Sequence, residues 1–358
     1  VFNTRDSTVG LDLGTTGARA VEVVWRANRP VVERWAAVDF PAPVSDWRNT
    51  DVADMARLVG DITVRKGMRG RWVAHSVSGD AAAPQYFNFP QLMPEDVPEA
   101  VRIEAEAALP FKADDAMISY ILFPEQRLAA NKVRTHGLAI AADGKVAESR
   151  LLPIRAAGLE TFCLETDATA CTNAYIATRA AATEEQGTTA ILNIGSRYSN
   201  LAILGPDHVL MVRDLPWAGE HMTLAISKLL SVPLVEAEAL KRKHWEGGPA
   251  AAGALDDRMI EALRKGAQEF VGRLHDTVHY WSSERLVPTL TKLLVTGGGS
   301  QVRGLPEFFA EDLQVPVERW APFGLSCPGV SGAGEVKTWD NRMTVAFGLA
   351  LREFSLRK

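Results

Sequence analysis

The chain has 358 residues, 47% hydrophobic and 23% charged, an ordinary balance for a globular protein of about two domains. A net charge of −5 argues against non-specific nucleic-acid binding. No apolar run reaches the roughly 18 residues of a membrane span. The three cysteines have no metal-ligand spacing and point to a reducing cytoplasm. The opening Val-Phe-Asn-Thr-Arg-Asp lacks a signal-peptide core and also lacks Met, as a trimmed beginning would.

Three strands open the chain, at residues 8–14, 18–25 and 31–39. Between the first two lies Asp12-Leu13-Gly14-Thr15-Thr16-Gly17. A hairpin of this kind suits phosphate. Glycine lets the backbone approach, threonine hydroxyls and N–H groups bind oxygens, and an aspartate holds a metal-bound water. Taken alone, the turn also fits any β-turn. Pro41, Pro43 and Asp46 form a loop, Thr50 or Asp51 caps a helix to about Lys66, and residues 71–78 form another strand.

The texture changes after Phe87. Pro94-Glu95-Asp96 leads into a helix that Pro110 stops after Leu109. Strands near 117–123 and 136–142 and a helix at 143–157 complete an αββα-like block, which reads as a small inserted subdomain.

The second half repeats the opening. Thr188–Leu204 is again strand, polar turn (Asn193–Ser199) and strand, followed by a strand at 208–214 and a helix from Gly219. Two copies of one unit predict two related lobes facing each other. Glu238 and Lys241 share a helical face, which fits a ribose contact and equally a solvated ion pair. Trp245–Pro249 reads as a loop, 256–286 as a long helix and 292–296 as a strand. That strand ends in Thr296-Gly297-Gly298-Gly299-Ser300 before a helix, where a base or phosphate could approach a helix N-terminus. An ordinary βα turn fits there as well. A Gly/Pro/Ser-rich loop at 322–338 and a helix at 340–354 close the chain. The ordered set of turn, related turn and triple glycine carries more weight than any member.

These residues resemble the actin-fold nucleotide-binding proteins and, more narrowly, the FtsA-like PilM family of type IV pilus assembly. The similarity lies in Val9-Gly10-Leu11-Asp12-Leu13-Gly14, in Arg102-Ile103-Glu104-Ala105-Glu106 leading to Leu109-Pro110-Phe111, and in Arg213-Asp214-Leu215-Pro216 leading to Gly219-Glu220. It continues through Glu236–Lys241 and Leu294–Gly299 with Gly304-Leu305, and spans about residues 8–354. The resemblance implies an α/β, actin-like two-lobed ATPase fold with duplicated mixed-sheet domains and an inserted FtsA-type small α+β subdomain. Lobe 1 would comprise 1–86, 158–182 and 339–358, the insert 87–157, and lobe 2 183–338, with a smaller part at about 220–285.

The resemblance further implies ATP or ADP with Mg²⁺. Asp12 would orient the ion through water. Gly14, Thr15, Thr16 and Gly17 would hold phosphates, with Gly195, Ser196 and Ser199 opposite and Gly219 and Glu220 beyond. Gly297, Gly298, Gly299 and Ser300 would pack beside the nucleoside, and Glu238 and Lys241 would approach ribose and base. Asp167 is the candidate for positioning an attacking water. Two positions depart from the family pattern. Arg19 stands where lysine is expected, and Asn193 replaces an aspartate with an uncharged amide. Both favour binding with slow or absent hydrolysis. The implied partner is the N-terminal cytoplasmic tail of a PilN-like bitopic inner-membrane protein, received by Arg102, Glu104, Glu106, Leu109, Pro110 and Phe111. Pilus motor ATPases and self-association are further implied contacts. The expected location is cytoplasmic, at the inner membrane through the partner. Competing readings are a carbohydrate or small-molecule kinase, an FtsA-like polymerising protein, and a degenerate platform domain that binds no nucleotide.

Overall fold

β1 (Ser7–Leu13), β2 (Gly17–Arg26) and β3 (Arg29–Asp39) form an antiparallel meander. β1 also pairs in parallel with β4 (Trp72–Val77), and β4 with β9 (Glu160–Thr166). The computed structural model describes residues 7–26, 29–68, 70, 72–123, 126–127, 133–178, 187–205, 209–246, 254–285, 290–325 and 340–352. The strands of this first sheet read as continuous apolar runs because helices cover both faces. α1 (Val52–Ile62), capped by Asp51 on the Asp54 N–H, and α3 (Gly144–Ala156), capped by Asp143, pack on one face.

The second sheet has the order β12-β11-β10-β13-β14, which matches β3-β2-β1-β4-β9 strand for strand. β10 (Thr188–Ile194), β11 (Ser199–Leu204) and β12 (Val209–Leu215) are the second meander, and β13 (Leu290–Thr296) and β14 (Val317–Arg319) extend it in parallel. Its outer core gathers α5 (Gly219–Leu230), α7 (Ala254–Arg285) and α8 (Leu305–Leu313) around Trp217, Phe270 and Phe309. α6 (Leu234–Glu246) packs beside α5.

α4 (Asp167–Thr178) lies between the two sheets. Its Ala168, Ala170, Cys171 and Tyr175 share one core with Ile191, Ala202 and Leu294 of the second sheet. α9 (Pro322–Leu325) is short, and α10 (Thr344–Ala350) follows a 3₁₀ turn at Asp340–Met343. α10 touches backbone on two sides. A Cβ on Gly10 would stand 1.9 Å from the Ala346 carbonyl oxygen, and one on Gly348 would stand 1.8 Å from that of Ala170.

Between β4 and α3 the chain builds a separate antiparallel sheet from β5 (Ala82–Pro90), β6 (Ala116–Leu122), β7 (Gln126–Arg127) and β8 (Val133–Asp143). α2 (Val97–Glu106) covers one face through Val97, Val101 and Ala105 against Phe87 and Ala139.

The meanders, the long helix and the block after Phe87 follow the sequence pattern. The strands at 82–90 and 160–166 were not expected. β5 carries Pro84 and Pro90, and β9 is bounded by polar residues, so neither shows clean alternation. The loop at 322–338 and the helix end at 353–354 fall largely outside the described residues, as does most of the loop at 245–253. Among the described residues no helix is long and apolar enough to cross a membrane.

Backbone-to-backbone packing at Gly348 leads to a paired prediction. Gly348→Ala forces α10 off α4 and costs about 2–3 kcal/mol. Gly60→Ala in α1, where an added Cβ meets nothing within 4 Å, gains up to about 1 kcal/mol. Urea denaturation of both variants checks the pair, and equal midpoints would contradict the packing account.

Candidate functional site

The two hairpins place chemistry at matching register positions. Asp12 faces Arg19 across β1 and β2, and Asn193 faces Asn200 across β10 and β11. Each turn closes with the same bond: the Gly14 N–H donates to the Gly17 carbonyl at 3.0 Å, and the Gly195 N–H to the Tyr198 carbonyl at 3.1 Å. The turns flank a cleft of about 500 Å³, bordered also by Gly297–Gly299. That is within the roughly 300–1,000 Å³ of small-molecule sites.

Asp12 and Asp167 lie in the cleft. Asp167, the first residue of α4, accepts hydrogen bonds from Ser76 Oγ at 2.6 Å and Ser78 Oγ at 2.8 Å. No described group donates to the Asp12 carboxylate. Burial, and then the charge of Asp167, push its carboxyl up to about 7 against the pull of Arg19 and Arg150. A cation bound there would relieve both causes.

Asp39, at the end of β3, gathers three arginines. Arg19 reaches it at 2.9 Å, Arg342 holds both its oxygens at 2.8 Å, and Arg242 stands at 3.8 Å. Arg242 also binds Glu238 at 3.0 Å. Lys241 is only 3% exposed, and its ammonium meets the Gly219 carbonyl at 2.9 Å, Thr223 Oγ1 at 2.6 Å and Glu238 at 2.7 Å. All three of its donors are used, so Lys241 positions Glu238 and the start of α5. Burial would raise the Glu238 carboxyl, but Lys241, Thr223 and Arg242 outweigh it and hold it below the usual range.

Of the residues singled out in the sequence, Asp12, Gly14, Thr15, Thr16, Arg19, Asp167, Asn193, Gly195, Ser196, Gly219, Glu238, Lys241, Gly297, Gly298 and Gly299 all line the cleft. Four do not. Gly17 sits beneath Arg19, inside the hairpin. Ser199 is buried and donates to the Trp217 carbonyl at 2.6 Å. Ser300 is buried and donates to the Gly297 carbonyl at 2.7 Å. Glu220 accepts from Ser196 Oγ at 3.2 Å. The Gly219 and Glu220 N–H groups are bound to the Gly195 and Ser196 carbonyls at 3.0 and 2.8 Å. These bonds strap the second turn to the start of α5. Two of the three glycines are needed for packing: a Cβ on Gly297 would stand 2.4 Å from Asn193 Oδ1, and one on Gly299 2.3 Å from Ile194 Cγ2, whereas one on Gly298 would meet only Arg342 Cγ at 3.9 Å.

Asp39, Trp47, Arg48, Arg150, Arg197, Tyr198, Asp214, Arg242 and Arg342 were missed as site residues. Arg150 stacks 4.8 Å over Trp47 and donates to the Ser76 carbonyl. Arg197 crosses the cleft to the Ser45 carbonyl at 2.8 Å. Arg197 and Tyr198 lie inside the second turn, Asp214 in the Arg213–Pro216 stretch and Arg242 beside Lys241; the other five have no diagnostic local spacing.

Arg102, Glu104, Glu106, Leu109, Pro110 and Phe111 stand together on the insert and away from the cleft. Arg102 donates to Glu99 and to Glu106, each at 2.6 Å, along exposed α2. Glu104 and Pro110 are exposed, and Leu109 and Phe111 are half-buried.

Two sheets of one order, with matching hairpin turns beside a shared cleft, define the actin-like ATPase fold. The ethanolamine utilization protein EutJ from Carboxydothermus hydrogenoformans has it (TM-score 0.56, 16% identity, 96% of this chain and 89% of that one). So does MreB 5 of Spiroplasma citri bound to AMPPNP (TM-score 0.50, 14% identity, 99% and 98% covered). A structure described as the PilM-PilN type IV pilus biogenesis complex matches at TM-score 0.81 and 24% identity, covering 97% of this chain and 98% of that one. The chain belongs to the family of type IV pilus assembly protein PilM, which it matches over residues 10–354.

The raised Asp12 carboxyl gives a pH prediction. A carboxyl whose pKa is higher folded than unfolded stabilises at low pH, and that contribution is lost as pH rises through the folded value. Asp12, raised to about 7, therefore weakens the fold between about pH 4 and pH 7. Asp12→Asn is expected to unfold at higher urea than wild type at pH 8, with a clearly smaller gain at pH 5. Equal gains at both would show that the carboxyl is not strained.

Proposed function

We propose that the chain is a nucleotide-binding adaptor of a type IV pilus assembly platform that hydrolyses ATP slowly or not at all. The facing turns around the Asp12–Asp167 pair carry this reading. The Thr15 and Thr16 N–H groups and hydroxyls on one side, and Ser196, beside the close-approach Gly195, on the other, would hold phosphate oxygens. The nucleoside would lie toward Glu238, Arg242 and the triple glycine. Mg²⁺ suits the undonated Asp12 carboxylate, which would hold it through water while the ion screened polyphosphate charge.

Slow turnover follows from two features. Asp167 already accepts two serine hydroxyls, which leaves it poorly free to position water. Asn193 supplies no charge opposite Asp12. The solved AMPPNP complex of MreB 5 has this fold, which supports the cleft as the nucleotide site. The PilN component of the PilM-PilN complex supports a second role: receiving the tail of a PilN-like membrane protein on the insert. Arg102, Glu104, Glu106, Leu109, Pro110 and Phe111 are the residues proposed to meet it. An extended tail needs apolar pockets and a few polar anchors to offset its ordering entropy.

AMPPNP with Mg²⁺ is expected to raise the melting temperature; a ligand at 100 times its Kd adds about 2.7 kcal/mol. No shift at millimolar ligand would favour the degenerate-domain reading. Fast Mg²⁺-dependent phosphate release, abolished by Asp12→Ala, would overturn slow turnover. For the partner, Phe111→Ala and Arg102→Ala should weaken pull-down by an N-terminal tail peptide of the PilN-like protein. Wild-type binding by both would remove the assignment to this segment.

A further inference from the structure

The Arg213-Asp214-Leu215-Pro216 motif has no role in the reading above, yet Asp214 is tied to the cleft. β11 and β12 pair Asn200 with Asp214, and the Asn200 Nδ2 donates to Asp214 Oδ1 at 2.7 Å. Asn200 Oδ1 in turn accepts from Asn193 Nδ2 at 2.8 Å. The second Asp214 oxygen accepts the Gly79 N–H of the first lobe at 2.6 Å. Gly79, at φ +69, has the Tyr198 ring against its Cα, where a Cβ would stand 2.4 Å from the ring.

An ionised carboxylate only accepts hydrogen bonds, whereas an asparagine amide donates from one end and accepts at the other. The direction of the chain is therefore set at Asp214. Asn200 must turn its N–H₂ to Asp214, which leaves its oxygen facing Asn193. Asn193 must then turn its N–H₂ to Asn200, and its own Oδ1 is directed toward Gly297. Asn193 lines the cleft, and no described group donates to this oxygen.

We propose that Asp214 is a positioning residue that, through Asn200, locks the Asn193 amide with its oxygen toward the cleft. This inference rests on the nucleotide reading and deepens it. Asn193 then presents an oxygen acceptor where the family pattern has a carboxylate, and a hydrated Mg²⁺ bound with nucleotide is the species that acceptor fits. An aspartate at 193 would instead set an acceptor against Asn200 Oδ1. Asn193 and Asp214 are thus a matched pair, and reversing the chain requires changing both.

The test is calorimetric titration of AMPPNP with Mg²⁺ and with EDTA, at about pH 8.5, where carboxyls are ionised. The readout is the ratio of the two affinities. Wild type is expected to bind more tightly with Mg²⁺. Asp214→Asn still accepts the Gly79 N–H but offers N–H₂ to Asn200, so the chain reverses, Asn193 turns N–H₂ to the cleft, and the ratio falls about tenfold, or about 1.4 kcal/mol. Asn193→Asp in the Asp214→Asn background satisfies the reversed chain, returns an oxygen to the cleft and restores the ratio. If Asp214→Asn does not fold, Asn200→Ala, which frees the Asn193 amide and leaves Asp214 in place, should lower the ratio too. An unchanged ratio in the folded single variants, or a double variant no better than Asp214→Asn, would overturn the proposal. Wild-type binding with no Mg²⁺ effect would overturn it alone, whereas no AMPPNP binding by wild type would remove the nucleotide reading with it.

Discussion

α10 can lie across the back of the first sheet only because one residue beneath it and one of its own have no side chain. Gly10 admits the Ala346 carbonyl and Gly348 admits that of Ala170. That contact fixes α10 against β1 and α4, and α4 in turn carries the second sheet on its other side. The placement of Asp12 beside Asp167 follows from it, since one ends β1 and the other begins α4. A looser join would let the two carboxylates separate and would open the cleft floor. The site thus depends on a packing contact that no functional residue makes.

The duplicated architecture carries unequal chemistry. The first hairpin pairs a carboxylate with a cation, Asp12 with Arg19, and anchors the cation on Asp39 of the third strand. The second hairpin pairs two amides, Asn193 with Asn200, and anchors them on Asp214 of its own third strand. One hairpin therefore brings charge to the cleft and the other brings oriented dipoles. Burial also pushes the Asp214 carboxyl up to about 7, as it does that of Asp12.

Both hairpins were legible in the sequence, because an apolar strand, a Gly-containing turn and another apolar strand leave a local pattern. The insert was legible too, through Pro94 and Pro110 around one helix and the alternation after Met117. The arginine cluster on Asp39 was not. Arg19, Arg242 and Arg342 come from three distant segments, and only the fold brings them to one carboxylate. Ser199 and Ser300 were misplaced for the opposite reason. They adjoin true cleft residues in sequence, but in a strand alternate side chains face opposite ways, and a tight turn buries its own hydroxyl. Lys241 was placed correctly, yet its role as an anchor for Glu238 depended on Thr223 and the Gly219 carbonyl, which no spacing reveals.

The insert begins beside the cleft, where Gly79, between β4 and β5, meets Asp214 and Tyr198 of the second lobe. The most direct test of the account is a crystal structure grown with AMPPNP and Mg²⁺. It is expected to show the triphosphate between Gly14–Thr16 and Gly195–Ser196, with the base toward Glu238 and the triple glycine. A nucleotide bound elsewhere, or an empty cleft at saturating AMPPNP, would contradict it.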